Sequence, residues 1–516
     1  MIIGIPYINE IYSRLKDAWF GADTRALALF RIAFGAIVFC DIARRVPYIN
    51  VFYSKLGLMD MAIAPSKYSV KSFSLLSSFT GPTEVAIFFY IALISCLLFI
   101  VGYHTKLFHF ITLIAVMSIH NRVAGIANGG DTVLINFLIW TLFLPLGTSI
   151  SVDALRRRLA EPDPGSPEGI NRQGDDCGKR KVFDIAYFAC LLQLAVIYLY
   201  NFLNKEGQRW FFHDHDPTNN WADGSAVYFM YQLDAFLTPL GNFIQDNIIS
   251  IPISSFLAAS VMLLEASAPV LILLPFYMSF SRRTVLAGLI LFHLAIGVSV
   301  SIGLFAWLMI AIFPLLLRAS DIELLKGCLR RITSGPVTVF YDTDCGFCHQ
   351  TARTLAFLDP LSNLTWAGQG SDIQKPPGYD RMKDDTIVVH DPVSGAVWER
   401  HKAFGRIMLS LPMGFLVAWI FFVPGLEILF GKVYDTTARN RQRVSAFLGL
   451  RACGIGAMKN DAKPTKESRS ILSEIACRCR TIISGAVVLV LMYVSLLGVL
   501  SSNPFNDDLL QDGIYV

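Results

Sequence analysis

Up to about residue 318 the apolar residues of this chain gather into runs close to the length an α-helix needs to cross a hydrocarbon core, separated by short polar loops. Backbone N–H and C=O groups find no water at that depth, so a chain built of such runs has little choice but a bundle of helices. The runs fall at roughly 26–44, 84–102, 106–120, 132–148, 184–203, 252–277, 284–300 and 302–318, with one more at 484–501. Composition agrees. Of 516 residues, 54% are hydrophobic and 16% charged, and the mean hydropathy is +0.50, values of a membrane protein rather than of a string of soluble domains. The spacing predicts a multi-pass α-helical membrane domain of about eight helices at 26–318, an α/β domain at 335–450, a basic linker at 451–483 and a C-terminal membrane helix at 484–501.

Residues 1–25 lack the basic start, apolar middle and small-residue cleavage site of a signal peptide. Ile8, Ile11, Tyr12, Leu15 and Trp19 recur at helical spacing instead, the pattern of an amphipathic helix lying on a membrane surface. Lys and Arg set the orientation. Arg156, Arg157, Arg158, Arg172, Lys179, Arg180 and Lys181, with Pro and Gly at 162–169, make 149–182 read as a flexible cytoplasmic loop. An even number of spans then places the α/β domain in the cytoplasm too, in a cell membrane of the bacterial inner-membrane type. The segment 204–250 falls on the outer face; the loop 45–83 falls there as well, against the rule, since it carries Arg45, Lys55, Lys67 and Lys71. A net charge of +4, with no basic stripe interleaved with aromatics, argues against nucleic acid as a partner; the expected partners are membrane lipids, a possible quinone, and a thiol protein or secreted peptide as substrate. Ten cysteines are too few and scattered for a disulfide scaffold, and Cys477 and Cys479 read as a juxtamembrane pair.

One stretch names its own chemistry. In VTVFYDTDCGFCHQ, Val337–Gln350, β-favouring residues run through Tyr341 and Asp342 into a turn, and Cys345 and Cys348 open a helix. Residues three apart on a helix share a face, close enough for the two sulfurs to close a disulfide ring. Unpaired N–H groups at the helix start favour thiolate over thiol, which makes Cys345 the expected nucleophile and Cys348 the resolving thiol. Asp342 and Asp344 pull the other way. A zinc half-site or two packed cysteines is the plainer alternative, but no second Cys/His pair at ligand spacing accompanies them.

At these residues the chain resembles the DCC family, thioredoxin-like thiol-disulfide oxidoreductases that open on a strand running into D-G-D-C-x-x-C; here Thr343 stands for the Gly. A strand at Thr386–His390, a helix from Ala403 and the closing VYDTTARNR, Val433–Arg441, continue the likeness over about 335–450. The resemblance implies a redox-active Cys345/Cys348 disulfide and a thiol protein as substrate.

Earlier segments resemble the HTTM family, the multi-helix fold that includes vitamin K-dependent γ-carboxylase. They are DTRALALFRIAFGAIVFCD with Arg31, HNRVAGIANGGD with Asp131, YLYNFLNK followed by WADGSA with Lys205, Trp221 and Gly224, and the closing helices with His293 and Ser301–Gly303. The likeness implies a membrane domain over about 20–318 with Lys205 as a base, His293 as a functional partner and a possible quinol. The residues alone allow blander roles: a snorkelling or Glu206-paired Lys205, a packed His293, and Arg31 and Glu265 as partners in the bundle interior. No metal is expected; His213 and His215, beside Asp214 and Asp216, are the weak candidates.

Three functions stay open at this level. The first is redox-linked modification or maturation of a peptide or lipid by a carboxylase-like membrane enzyme coupled to a thiol domain. The second is an electron relay between thiols and membrane quinone. The third is a non-enzymatic scaffold for export of, or immunity to, a secreted peptide.

Overall fold

The computed structural model describes residues 4–447 except 56, 58–72, 79–80, 124–127, 162–165, 174–180, 208–220, 222–223, 369–372, 377–378 and 380–385. The linker 451–483, the helix at 484–501, Cys477, Cys479, His213 and His215 lie outside the described residues. The described chain divides into two compact units, 4–151 with 181–318 and 152–173 with 319–447.

The first unit is helical. Five of its helices are long and apolar enough to cross a membrane: Thr24–Tyr53, Pro82–Val101, Ile185–Lys205, Ile251–Leu273 and Met278–Ser299. The expected eight therefore shrink to five among the described residues, for reasons of length and charge. Gly129–Leu142 and Phe305–Leu316 are apolar but short, and at 1.5 Å per residue the first reaches only about 21 Å of a roughly 30 Å core. Thr105–Arg122 is long enough, but it carries Lys106, His109, His120 and Arg122. The opening helix, Gly4–Phe20, is amphipathic, with Tyr12 exposed, Ala18 buried and Trp19 Nε1 donating to the Leu273 carbonyl at 2.9 Å.

Phe30, Phe34 and Val38 of the first long helix are fully buried, and the two rings stack at 4.8 Å. Arg31 lies among them with no exposure. Its guanidinium donates to the carbonyls of Ile100 at 3.2 Å, Leu146 at 2.8 Å and Ile150, so it satisfies chain ends that helices leave unpaired. Two short strands, β1 (Gly21–Asp23) and β2 (Lys181–Phe183), pair antiparallel within the same unit.

The second unit holds a four-stranded sheet. Strands β3 (Val337–Tyr341) and β4 (Leu364–Gly368) run parallel, joined by the helix Gly346–Phe357, while β5 (Val388–His390) and β6 (Val397–Glu399) form an antiparallel hairpin on the other side of β3. The order β4–β3–β5–β6 is the β-α-β plus β-β-α plan of a thioredoxin-like domain. Its core is Val337, Val339, Leu355, Trp366, Val389, Ala403 and Ile407.

The same core contains Ile170, 1% exposed, which corrects the reading of 149–182 as a flexible loop. Helices Val152–Ala160 and Pro167–Gln173 belong to the thiol domain. Asn171 pairs with the outer edge of β4, accepting from the Trp366 amide at 2.9 Å and donating to its carbonyl at 3.0 Å; a side-chain amide thus closes an edge that would otherwise leave ladder groups open. Arg353, buried on the helix Gly346–Phe357, donates to the Arg158 carbonyl at 2.9 Å and the Glu161 carbonyl at 3.2 Å, capping the end of the first added helix. The charge placement suits a helix, with Asp153 in its first turn and Arg157 and Arg158 in its last. The thiol domain is therefore built from two stretches of chain with residues 181–318 between them.

Candidate functional site: a dithiol at a helix start

Strand β3 delivers the chain to the site. Its last residue, Tyr341, is buried, and its hydroxyl pairs with His349 Nδ1 at 3.0 Å, tying the strand end to the helix that follows. Asp342 then makes an Asx turn, Oδ1 accepting the Asp344 amide at 2.9 Å, and Cys345 takes the N-cap position of the helix Gly346–Phe357. The Cys345 sulfur accepts the Cys348 amide at 3.4 Å, as a capping side chain does. Both cysteines are free thiols; Cys345 is 9% exposed and Cys348 is half-buried.

Exposure does not choose the nucleophile, and electrostatics does. The Cys348 thiol donates to Cys345 and holds its pKa down to about 6, against the opposing cost of burial. The Cys348 amide and the Arg441 guanidinium add to that lowering, while Asp342 works against it. Cys348 is pushed far up, first by its bond to the Cys345 sulfur and then by burial, so it stays a thiol. At neutral pH the pair is one thiolate held by one thiol, the arrangement a dithiol exchange needs.

Arg441 comes from the far end of the helix Leu426–Phe447, where Nη1 lies 3.2 Å from Asp342 Oδ2. Sequence reading had placed the VYDTTARNR segment in the domain without giving Arg441 or Tyr434 a task. Tyr434, on the same helix, bonds Thr386 at 2.9 Å and accepts the Ile387 amide at 3.1 Å. These residues wall a cavity of about 300 Å³ against Cys348, whose other surfaces include Trp366, Phe404, Phe421 and Phe430. Asp344, by contrast, is exposed and serves the turn through its backbone.

Two charges of opposite sign beside one thiolate make a prediction. Alkylation of Cys345 should rise with pH around a midpoint near 6. Arg441→Gln removes a stabilising cation and should move that midpoint up; Asp342→Asn removes an opposing anion and should move it down. Iodoacetamide rates against pH, resolved by peptide mass spectrometry, check both signs, and two shifts in the same direction would refute the assignment.

The first unit gathers other residues singled out in the sequence. Lys205 Nζ donates to Glu265 Oε1 at 2.6 Å and sits 4.4 Å from the centre of the Trp221 ring. The carboxylate partner the structure gives is Glu265, 1% exposed, while the side chain of Glu206 lies outside the described residues. His293 Nε2 pairs with the Tyr198 hydroxyl at 2.9 Å, both buried. Gly224 has φ +81°, and a Cβ there would run into Ser255; its carbonyl accepts from Ser254 at 2.6 Å, so its role is close packing. Asp131 accepts from Arg45 at 3.0 Å and caps the backbone of Asn128.

Asp41, His120 and Asp131 bring a nitrogen and two carboxylate oxygens within 4.8 Å of one another, close enough for a metal. Arg45 already bridges the two carboxylates, at 3.1 Å from Asp41 and 3.0 Å from Asp131, so their charge is matched by a guanidinium that a cation would have to face. The cluster is a buried charge network.

Residues 339–447 match the family model of the DCC1-like thiol-disulfide oxidoreductases. The matched stretch begins in β3, contains Cys345 and Cys348 and ends with the helix that carries Tyr434 and Arg441. No curated protein and no solved structure is matched by the chain. This protein therefore carries a DCC1-like thiol-disulfide oxidoreductase domain together with helices of membrane-spanning character.

Proposed function

We propose that this is a membrane-tethered thiol-disulfide oxidoreductase in which Cys345 is the attacking thiolate and Cys348 the resolving thiol. The observation that carries it is the Cys345 thiolate, capping a helix and held near pKa 6 by Cys348 and Arg441. In the reducing direction, Cys345 attacks a substrate disulfide and forms a mixed disulfide, expelling one substrate thiolate. Cys348 then gives up its proton and attacks the Cys345 sulfur, releasing the second substrate thiolate and leaving the Cys345–Cys348 disulfide. Two electrons pass to the substrate, and a reducing thiol returns the domain to its starting state.

The substrate we infer is a disulfide carried by a protein or peptide at the membrane, since the domain is linked at both of its chain segments to apolar helices. This reading puts the thiol domain in the cytoplasm, where a dithiol of this kind reduces. Lys205, paired with Glu265 and covered by Trp221, is read as a structural ion pair of the membrane unit. The test is a redox titration of the full chain in lipid nanodiscs, followed by differential alkylation. A reversible two-electron transition confined to Cys345 and Cys348 is expected; two thiols that alkylate equally and slowly, with no transition, would refute the proposal.

A further inference from the structure

The thiol domain carries an apolar surface that its core does not use. From Ile407 to Leu426 the chain has no charged residue, and in the middle of this stretch Phe415, Leu416, Val417 and Trp419 are each about half exposed. Beyond a break at Val423–Gly425, Ile428 is 64% and Leu429 54% exposed. Side chains of this size are costly to leave in water, and a patch of them marks a surface that something covers. The segments Phe415–Phe421 and Leu426–Arg439 together are as long and apolar as a membrane span, but they meet at 86°. Pro424 and Gly425, the latter at φ +91°, supply the break: one lacks the amide that would continue the helix and the other turns left-handed at no steric cost.

The bend decides between crossing and dipping. The helix Arg400–Ser410 before it and the helix Leu426–Phe447 after it pack in one domain, with the Phe404 and Tyr434 rings 6.2 Å apart. Both ends of the apolar stretch are thus held on the same face, so it cannot span. We infer that Phe415–Leu429 is a monotopic wedge that inserts the thiol domain into the surface of a lipid bilayer. A bilayer is favoured over a second copy of the chain for two reasons. The chain brings a membrane within reach through its own apolar helices, and exposed Lys432, Arg439 and Arg443 follow the wedge along its second arm, where anionic headgroups would meet them. Phe421 and Phe430, whose rings lie 5.0 Å apart on the inner side of the bend, also wall the cavity at Cys348. Insertion therefore sets the dithiol at the bilayer surface, where a membrane-borne substrate meets it. The wedge is independent of the exchange reaction and stands or falls separately from it.

The test uses the full chain in vesicles of mixed neutral and anionic lipid containing an acyl-chain diazirine lipid. After illumination, adducts are mapped by peptide mass spectrometry. Adducts on 413–429 are expected at about tenfold or more over the β5–β6 turn, where Val393 is 86% exposed, and at a level comparable to the span Pro82–Val101. Leu416→Glu with Trp419→Glu should strip adducts from 413–429 while leaving those on Pro82–Val101, and the Cys345 alkylation rate, unchanged. Labelling of 413–429 no greater than that of the Val393 turn, with the span labelled normally, would overturn the inference; a protein surface covering the patch gives that same result.

Discussion

Cys345→Ser is expected to abolish disulfide exchange, a loss of at least about a thousandfold, whereas Cys348→Ser should halt the reaction at a mixed disulfide on Cys345. The difference follows from the asymmetry of the pair. With a pKa near 6 Cys345 is mostly thiolate at pH 7, against a few per cent for an ordinary cysteine, and serine offers no comparable nucleophile. Cys348 is not needed for the first attack, since its pKa is raised and it remains a thiol, but without it the mixed disulfide has no internal route to resolution. Cys348→Ser also removes the thiol that most lowers the Cys345 pKa, so the trapped species should form more slowly below pH 7 than the wild-type intermediate does. Incubation with a model protein disulfide and non-reducing electrophoresis reads both outcomes. A mixed disulfide accumulating on Cys348 in the Cys345→Ser chain would exchange the two roles.

Lys205→Met is expected to destabilise the membrane unit by about 3–5 kcal/mol, the usual consequence of leaving one member of a buried ion pair behind. Glu265 is the member left: it is 1% exposed, and its second oxygen, Oε2, is buried with no hydrogen-bond partner among the described residues to take the place of Lys205. Lys205→Arg should keep the pair and most of the stability. The double change Lys205→Met with Glu265→Met should recover most of what the single change loses, because an apolar pair of similar volume carries no desolvation cost. Thermal unfolding of the four chains in one detergent is the measurement. A single variant as stable as the wild type, with no recovery in the double, would remove the ion pair as a structural element and return Lys205 to consideration as a base.

Short-range pattern carried much of the site. The strand into Tyr341, the turn at Asp342 and the two thiols at a helix start are all decided within a dozen residues, and the structure has them where the spacing put them. Two further features carry local signals. The charge placement of Val152–Ala160 marks a helix, and the uncharged stretch Ile407–Leu426 marks an apolar element outside the spans already recognised. Others had no local signal at all. Nothing near residue 171 points to the edge of a strand 195 positions later, and nothing near Lys205 points to Glu265, 60 positions on.

By itself the sequence determined that apolar helices and a Cys-x-x-Cys thiol domain share this chain, because helix periodicity, run length and the chemistry of two thiols three apart are properties of neighbouring residues. Tertiary structure alone decided which stretches of chain make up the thiol domain and which charges face one another. Those depend on burial, and burial is set by packing between segments far apart. Arg441 acts on Cys345 because a helix some hundred residues downstream returns to the start of the first, and no count of residues along the chain contains that distance.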